Sequence, residues 1–388
     1  MAKRICMVAY THYRSDARPR REAEALVARG DEVDFISLGG ETQRHETVEG
    51  VQVIELAARR YRGASVAAYL TSYGRFFAQA LALLSARHRA RRYDVVHVHT
   101  MPDFMVFAGA FAKLMGAKIV LDVHDTMPEL YQSKFGLRPA HLFIRALRLE
   151  EWLSCAFADR VICVHEPHRE LLVSRGVPAK KITVILNVPD PRVFGPPRDV
   201  PTPVADAPTR LVYHGTIAER LGLDMALLAF RQVVDQFPQA RFDIFGTGDH
   251  APATHALIAD LDLGNSVHFS DRQFPVADVP SLVGGATLGI VPNRDDPATR
   301  MMLPVKLLEY VHLGIPAVAP RLPVIRHYFG EDALAYYDAG DSQSLAAAIT
   351  HALTDRDATA ARQRCASAFA QRYQWDNIKH DLFAVIDH

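Results

Sequence analysis

The stretch Asn293-Arg-Asp-Asp-Pro-Ala-Thr-Arg-Met-Met-Leu-Pro-Val-Lys-Leu-Leu-Glu-Tyr-Val-His-Leu-Gly-Ile-Pro-Ala-Val-Ala319 decides the reading of this chain. An apolar strand over residues 288–291 runs into a polar loop, and the loop opens a short helix at Pro304. Proline suits the first helical turn, where its missing N–H would have no partner in any case. The N–H groups of Val305 and Lys306 stay free there and, with the helix dipole, make a seat for an anion. Lys306 and Glu309 are three residues apart and share one helix face. Gly314 ends the helix, Pro316 blocks its continuation, and residues 317–319 begin the next strand. The loop therefore offers backbone donors and an ammonium to phosphates and, one turn deeper, a carboxylate to hydroxyls. That combination suits a nucleotide-sugar. An ordinary loop–helix–strand crossover, with Lys306 and Glu309 as a surface ion pair, fits the same stretch.

At 388 residues the chain exceeds one ordinary core and suggests two domains. A hydrophobic content of 49% and a charged content of 23% are those of a globular protein. A formal net charge of zero and a pI near 7.3 exclude a globally basic nucleic-acid binder. The charge is uneven, however: residues 1–100 carry about five more basic than acidic side chains, with Arg87, Arg89, Arg91 and Arg92 together. Cys6, Cys155, Cys163 and Cys365 form no CxxC pair, which argues against a zinc knuckle and fits a reducing cytoplasm. The apolar run at residues 5–9 is too short for a signal sequence and reads as a strand. No stretch approaches the roughly 20 apolar residues that span a bilayer. The expected place is the cytoplasm, with peripheral attachment to the inner face of the membrane left open.

Residues 5–9 (strand), 15–29 (helix, ended by Gly30) and 32–37 (strand) make a βαβ unit. The first connection lacks GxGxxG but supplies Asp16, Arg18 and Arg21 at a strand's carboxyl end, where open α/β sheets bind ligands. Helix capping with solvated arginines accounts for the same residues. A strand at 51–56 and a long helix at 64–88 follow, the helix with Tyr69, Tyr73, Phe76, Phe77, Leu81 and Leu84 at helical spacing. Its basic end either complements the helix dipole or leans on anionic lipid. Asp94-Val-Val-His97-Val-His99 sets two histidines on one strand face; without a nearby third ligand they read as a hydrogen-bonded buried pair rather than a metal site. Three successive strands then end in His124-Asp125, His165-Glu166 and Asn187, at what should be one rim.

Proline becomes dense from Pro189 to Pro208, which marks a linker. Beyond it, strands at 210–214, 241–245, 267–269, 288–291, 317–319 and 334–336 alternate with helices at about 224–237, 255–261, 304–313 and 344–353, the grammar of a second parallel sheet. His214-Gly215-Thr216 and Phe245-Gly246-Thr-Gly248 follow strands, and each glycine permits close backbone approach to a ligand. Residues 371–386 read as a terminal amphipathic helix.

Taken together, Val123-His-Asp-Thr-Met-Pro-Glu129, Ala158-Asp-Arg-Val-Ile-Cys-Val164, Lys181-Ile-Thr-Val-Ile-Leu-Asn187, Tyr213-His-Gly-Thr-Ile-Ala-Glu-Arg-Leu-Gly-Leu-Asp224, Ile244-Phe-Gly-Thr-Gly248 and the 303–319 stretch resemble the family 4 glycosyltransferases of the GT-B fold over nearly the whole chain. The resemblance implies an α/β protein of two Rossmann-like, doubly wound domains with a cleft between them. The boundaries expected are an acceptor domain at 1–190, a proline-rich linker at 191–208, a nucleotide-sugar domain at 209–370, and a terminal helix at 371–388 crossing back to the first domain. It implies retaining, metal-independent transfer of a hexosyl-type sugar from a UDP- or GDP-sugar to a glycan or lipid-linked acceptor, in surface polysaccharide or glycoconjugate assembly, with no cofactor. Gly215, Thr216, Gly246, Leu303, Val305, Lys306 and Glu309 match donor-binding positions, Glu309 the carboxylate on the ribose. His124, Lys306 and Arg220 match or substitute for catalytic ones. Asp16, Arg18, Asp125 and Glu166 are the acceptor-side candidates.

Three departures stand out. Many members carry Glu-x7-Glu, and Met301 stands at its first glutamate. Thr216 and Leu221 stand at the usual basic places of the phosphate loop, with Arg220 as the substitute. The loop of Tyr13, Asp16 and Arg18 replaces a glycine-rich first loop. A nucleotide-sugar 2-epimerase on the same fold and a non-catalytic nucleotide-sugar-binding subunit are the alternative readings.

Overall fold

The computed structural model describes residues 2–59, 61, 66–199 and 209–388. The chain forms two compact units, Met1–Asn187 with Asp376–His388, and Val188–Trp375. The break at Asn187 precedes the whole proline-rich stretch. Within that stretch Pro191–Phe194 is a helical turn of the second unit, Arg198 N–H donates to the His312 carbonyl at 2.8 Å, and residues 200–208 of the expected linker lie outside the described residues.

The first unit holds one sheet of β1 (Arg4–Ala9), β2 (Glu32–Leu38), β3 (Arg44–Val48), β4 (Val51–Leu56), β5 (Val95–His99), β6 (Lys118–Val123), β7 (Arg160–Cys163) and β8 (Ile182–Val184). Their order is β3-β4-β2-β1-β5-β6-β7-β8, parallel throughout except for β3 against β4. Helices cover both faces of a parallel sheet, so β1 and β5 are buried almost end to end and need no polar alternation. Strand order reverses between β1 and β5, the place where such sheets hold ligands beyond their carboxyl ends. The sequence reading has no counterpart to β3. Its Arg-His-Glu-Thr-Val is polar, and the turn at Glu49-Gly50 lacks Asn-Gly although both residues take positive φ, 49° and 81°.

The helix Ala17–Arg29 ends at Gly30 in the left-handed conformation, as the sequence suggested. The helix Val66–Ala90 buries Phe76, Ala80 and Leu84; its expected start at residue 64 and the side chain of Tyr69 lie outside the described residues. Its basic end is engaged within the unit. Arg87 pairs with Asp34 at 3.1 Å, Arg91 with Glu32 at 2.6 Å, and Arg89 lies over the Phe111 ring. A helix the sequence reading passed over, Leu142–Phe157, turns Ile144, Glu151, Ser154 and Cys155 inward.

The second unit holds β9 (Arg210–His214), β10 (Arg241–Gly246), β11 (Val267–Asp271), β12 (Leu288–Ile290), β13 (Ala317–Pro320) and β14 (Ala335–Tyr337). All run parallel in the order β11-β10-β9-β12-β13-β14, a doubly wound sheet whose order reverses between β9 and β12. The long helix Arg356–Arg372 follows Ser342–Thr354 and has no counterpart in the sequence reading. No helix among the described residues is long and apolar enough to cross a membrane.

The final helix, Trp375–Asp387, belongs to the first unit for all but its first residue. Lys3 Nζ donates to the Ile386 carbonyl at 2.7 Å, Arg29 pairs with Asp387 at 3.2 Å, and Leu382 and Ile386 are buried. Truncating Leu382 to Ala leaves a cavity under this helix and should cost about 2–5 kcal/mol, read as a lower thermal midpoint of unfolding. An unchanged midpoint would mean that the helix adds nothing to the first unit.

Candidate active site

In the second unit the helix Val305–His312 starts at the switch point, just past β12. Pro304 is its N-cap, with extended dihedrals, rather than its first helical residue, and no side chain caps the turn. The leading N–H groups therefore lack intrahelical partners. Lys306 follows immediately. Its side chain crosses the Tyr213 ring of β9 with Nζ 3.7 Å from the ring centroid, and a Cβ on Gly215 would stand 3.6 Å from that nitrogen. Lys306 and Glu309 are both buried, which sets aside the surface-pair reading. Burial is the chief reason the Lys306 ammonium is pushed down to about 7; Glu309 pulls it up and Arg220 pushes it down.

Two turns build the floor beside that ammonium. Gly215 N–H donates to the Phe245 carbonyl at 2.9 Å and Ile217 N–H to that of Thr247 at 3.0 Å, while Tyr213 Oη donates to the Thr216 carbonyl at 2.6 Å. At Gly246, with φ of 147°, a Cβ would lie 1.8 Å from the Gly215 oxygen. Gly246 is thus required by the packing of one turn on the other, and the space beside it belongs to Gly215 rather than to a ligand. Gly215 and Thr216 remain exposed on the surface of this floor.

Arg220 sits on the helical turn Glu219–Leu221. Its carbonyl accepts from Arg294 N–H at 3.0 Å, and Arg294 also pairs with Asp224, so the loop before the helix is tied to the loop after β9. Arg220 Nε is buried and makes no hydrogen bond. Leu303 and Met301 are half-buried and Val305 is exposed at the helix mouth. Glu309 is gripped from behind by His214, whose Nε2 is 2.5 Å from Oε2, with Tyr310 Oη 3.1 Å from the other ring nitrogen. His214 and Tyr213 were quoted in the sequence motif but given no task; their strand-end position beside Gly215 was the available signal.

The first unit carries a separate cavity of about 150 Å³ at its own switch point. Asp16, Asp125, His99, His124, Thr100 and Tyr10 are among its walls. Asp16 takes the N-cap position of its helix without capping it, which leaves the carboxylate on the cavity wall. Beneath lies a buried charge cluster. Asp122 Oδ2 is 3.4 Å from His124 Nε2 and 3.3 Å from His99 Nδ1, and its Oδ1 accepts from Arg18 at 2.6 Å. Burial opposes ionisation of Asp122, but Arg18, His124 and His99 hold its carboxyl well below the usual range. Burial, and then Asp122, push Glu22 up, and burial keeps the His97 imidazole well down.

Arg18 is therefore not an acceptor-side residue. It is buried, and its guanidinium is held 3.3 Å from Glu22 as well as against Asp122. Glu166 also stands apart: it opens the helix Glu166–Ser174, half exposed, and pairs with Arg169 at 3.5 Å. The rim expected at the three strand ends breaks up accordingly. His165 Nδ1 accepts from His168 N–H as a helix cap, and Asn187 Oδ1 accepts from Arg21 at 3.4 Å. The premise that His97 and His99 lack further ligands nearby also fails, because ligand atoms of Glu22, His97, His99 and Asp122 lie within 4.8 Å of one another. Arg18 already gives both carboxylates of that group a cation. Asp122 and Glu22 went unassigned in the sequence because each reads as an ordinary element residue until the fold joins them.

Two family descriptions match the chain, "Glycosyltransferase Family 4" over residues 20–193 and "Glycosyl transferases group 1" over residues 208–355. An uncharacterized glycosyltransferase of Methanocaldococcus jannaschii is 25% identical over 329 residues, covering 79% of this chain and 77% of that one. An Escherichia coli protein provisionally named a colanic acid biosynthesis glycosyltransferase is 28% identical over 149 residues, 38% of this chain and 36% of its own. Among solved structures, Anabaena HepE in complex with UDP-glucose superposes with a TM-score of 0.72 at 18% identity, covering 99% of each chain. Two doubly wound sheets with these matches define a GT-B glycosyltransferase. The chain belongs to family 4 of that class.

Exchanging Asp122 for Asn removes the charge that Arg18 is buried against. The loss should be about 3–5 kcal/mol, seen as a fall in the unfolding midpoint. A variant as stable as the wild type would mean that the cluster is not held together by this pair.

Proposed function

We propose that the protein transfers a hexosyl-type sugar from a UDP- or GDP-sugar to a glycan or lipid-linked acceptor, with retention of configuration and without a metal, in surface polysaccharide or glycoconjugate assembly at the cytoplasmic face of the membrane. The observation that carries this reading is the desolvated Lys306 ammonium beside the Gly215 turn at the β9/β12 switch point. A similar fold holds UDP-glucose in Anabaena HepE, which supports the same class of donor here. The E. coli relative's name supports the polysaccharide setting.

As the bond from the sugar C1 to the diphosphate breaks, negative charge grows on the leaving oxygen. Lys306, the free N–H groups at Val305 and Lys306, and Arg220 are preorganised to meet it, and groups fixed in a dry site need no reorganisation as the charge appears. The exposed backbone of Gly215 and Thr216 brackets the same phosphates. Glu309, with one oxygen engaged by His214, offers the other to the ribose hydroxyls. In the first unit the cavity lined by Asp16, His124 and Asp125 takes the acceptor, and its hydroxyl loses a proton as the new bond to C1 forms. His124, oriented by Asp122 at 3.4 Å, is the side chain this reading assigns to that hydroxyl or to the transferred sugar.

The reading is tested by incubating the protein with UDP-, GDP- and ADP-sugars and following free nucleotide, sugar epimers and bound donor. Slow nucleotide release with one donor class supports transfer. Epimerisation supports the 2-epimerase alternative, and tight binding without turnover supports a binding subunit. The anomeric configuration of the product, read by NMR, tests retention.

Replacing Lys306 with Ala should lower kcat by roughly 10²–10³-fold, because its charge matters most as the diphosphate departs. Glu309→Gln should instead raise the donor KM roughly tenfold with a smaller change in kcat. For His124→Ala, transfer should fall by roughly 10²-fold or more while nucleotide affinity is kept. Wild-type kcat and KM in the first two variants would show that the donor does not bind at this helix.

A further inference from the structure

The helix Leu142–Phe157 is apolar on two faces. One packs on the sheet of the first unit, yet on the other Leu142 is 77% exposed, Leu149 57%, Trp152 43% and Leu153 45%. At a helical repeat of about 3.6 residues these four form one stripe. Phe135, exposed at the end of the helix Met127–Phe135, extends it: Tyr131 touches the Phe135 and Phe143 rings, each at 5.6 Å between centroids. Single exposed apolar residues are ordinary on protein surfaces, but a contiguous set with a polar border marks a docking face.

Along residues 134–149 the border has one sign. Residues 134–149 contain Lys134, Arg138, Arg145 and Arg148 and no carboxylate. Lys134, Arg138 and Arg145 are exposed. The carboxylates on the helix itself turn inward: Glu151 accepts from Arg175 at 2.7 and 2.9 Å, and both Glu150 oxygens are buried. A second copy of the chain seated face to face would set this basic rim against itself. An anionic bilayer complements both parts, taking the apolar side chains into the headgroup–acyl boundary and the cations onto lipid phosphates.

We infer that the exposed face of the helix Leu142–Phe157, with Phe135 and its basic rim, is the surface by which this protein lies on anionic lipid. It gives the membrane attachment proposed above a location, and moves it away from the Arg87–Arg92 end, whose side chains at Arg87, Arg89 and Arg91 are engaged within the unit. The inference rests on the proposed setting for its purpose alone. Vesicle binding is read without any donor, so its failure and the failure of the transferase reading are separate results.

The test is sedimentation of the full chain with phosphatidylcholine vesicles, with and without phosphatidylglycerol, at low and high salt. The wild type should bind the anionic vesicles, bind pure phosphatidylcholine more weakly, and lose affinity as salt rises. Leu149→Ser/Trp152→Ser and Arg138→Glu/Arg145→Glu should each lower the partition coefficient roughly tenfold or more, with unchanged far-UV circular dichroism. Arg89→Glu/Arg92→Glu should bind as the wild type does. Absence of binding to anionic vesicles would overturn the inference, as would face variants that bind normally or a loss confined to Arg89→Glu/Arg92→Glu. A lipid-indifferent dimer that Leu149→Ser/Trp152→Ser dissociates would overturn it in favour of a second copy.

Discussion

Much of the second unit is arranged around one unfavourable act, the removal of the Lys306 ammonium from water. An ammonium in a low-dielectric site releases its proton unless something negative compensates it. Here the compensation is incomplete: the Tyr213 ring beneath it offers a quadrupole, Glu309 a carboxylate one turn on, and Arg220 opposes both. The group that would complete the balance is an anion at the exposed Gly215 turn. The surrounding structure keeps that position available. Gly246 gives up a side chain so that the Gly215 carbonyl can pass, Tyr213 Oη holds the Thr216 carbonyl, and Arg294 ties the next loop down. His214 meanwhile fixes one oxygen of Glu309, so that the carboxylate is aimed rather than free.

The first unit handles buried charge in the opposite way. Around Asp122 the compensation is internal, with Arg18 at 2.6 Å and two imidazoles within 3.4 Å. Such a network is costly to break and adds rigidity where it is satisfied. Its effect at the cavity is to hold the His124 ring from below while leaving 17% of that side chain exposed. Asp16 and Asp125 lie on the cavity wall, where the proposed function has them meet the hydroxylated acceptor.

What the sequence made legible was the part governed by local rules. Alternating strands and helices, Gly30 and the Lys306–Glu309 spacing followed from periodicity, turn chemistry and helix geometry, and the family resemblance joined them. The glycine turns were legible as turns, but Gly246 was read as making room for a ligand when it makes room for Gly215, a distinction that depends on contact between two loops far apart in sequence. Arg18 was read as reaching for a ligand because its partners, Glu22 and Asp122, are brought to it by different elements. The β3 hairpin and the helix Leu142–Phe157 escaped for a related reason. One has a polar strand and an uncommon turn pair, and the other follows Gly136 and Pro139 and is capped by His141, which is not among the side chains typical of helix starts.

The central claim, that a desolvated lysine waits for a diphosphate, is tested most directly by calorimetry of UDP and GDP binding in buffers of different ionisation heat. Free Lys306 sits at about 7, and a diphosphate against it draws it back toward the ordinary lysine range. Binding at about pH 8 should then take up close to one proton, and affinity should fall as pH rises above that point. The uptake should vanish in Lys306→Ala. Binding of either nucleotide without proton uptake, or with the same uptake in Lys306→Ala, would contradict the account.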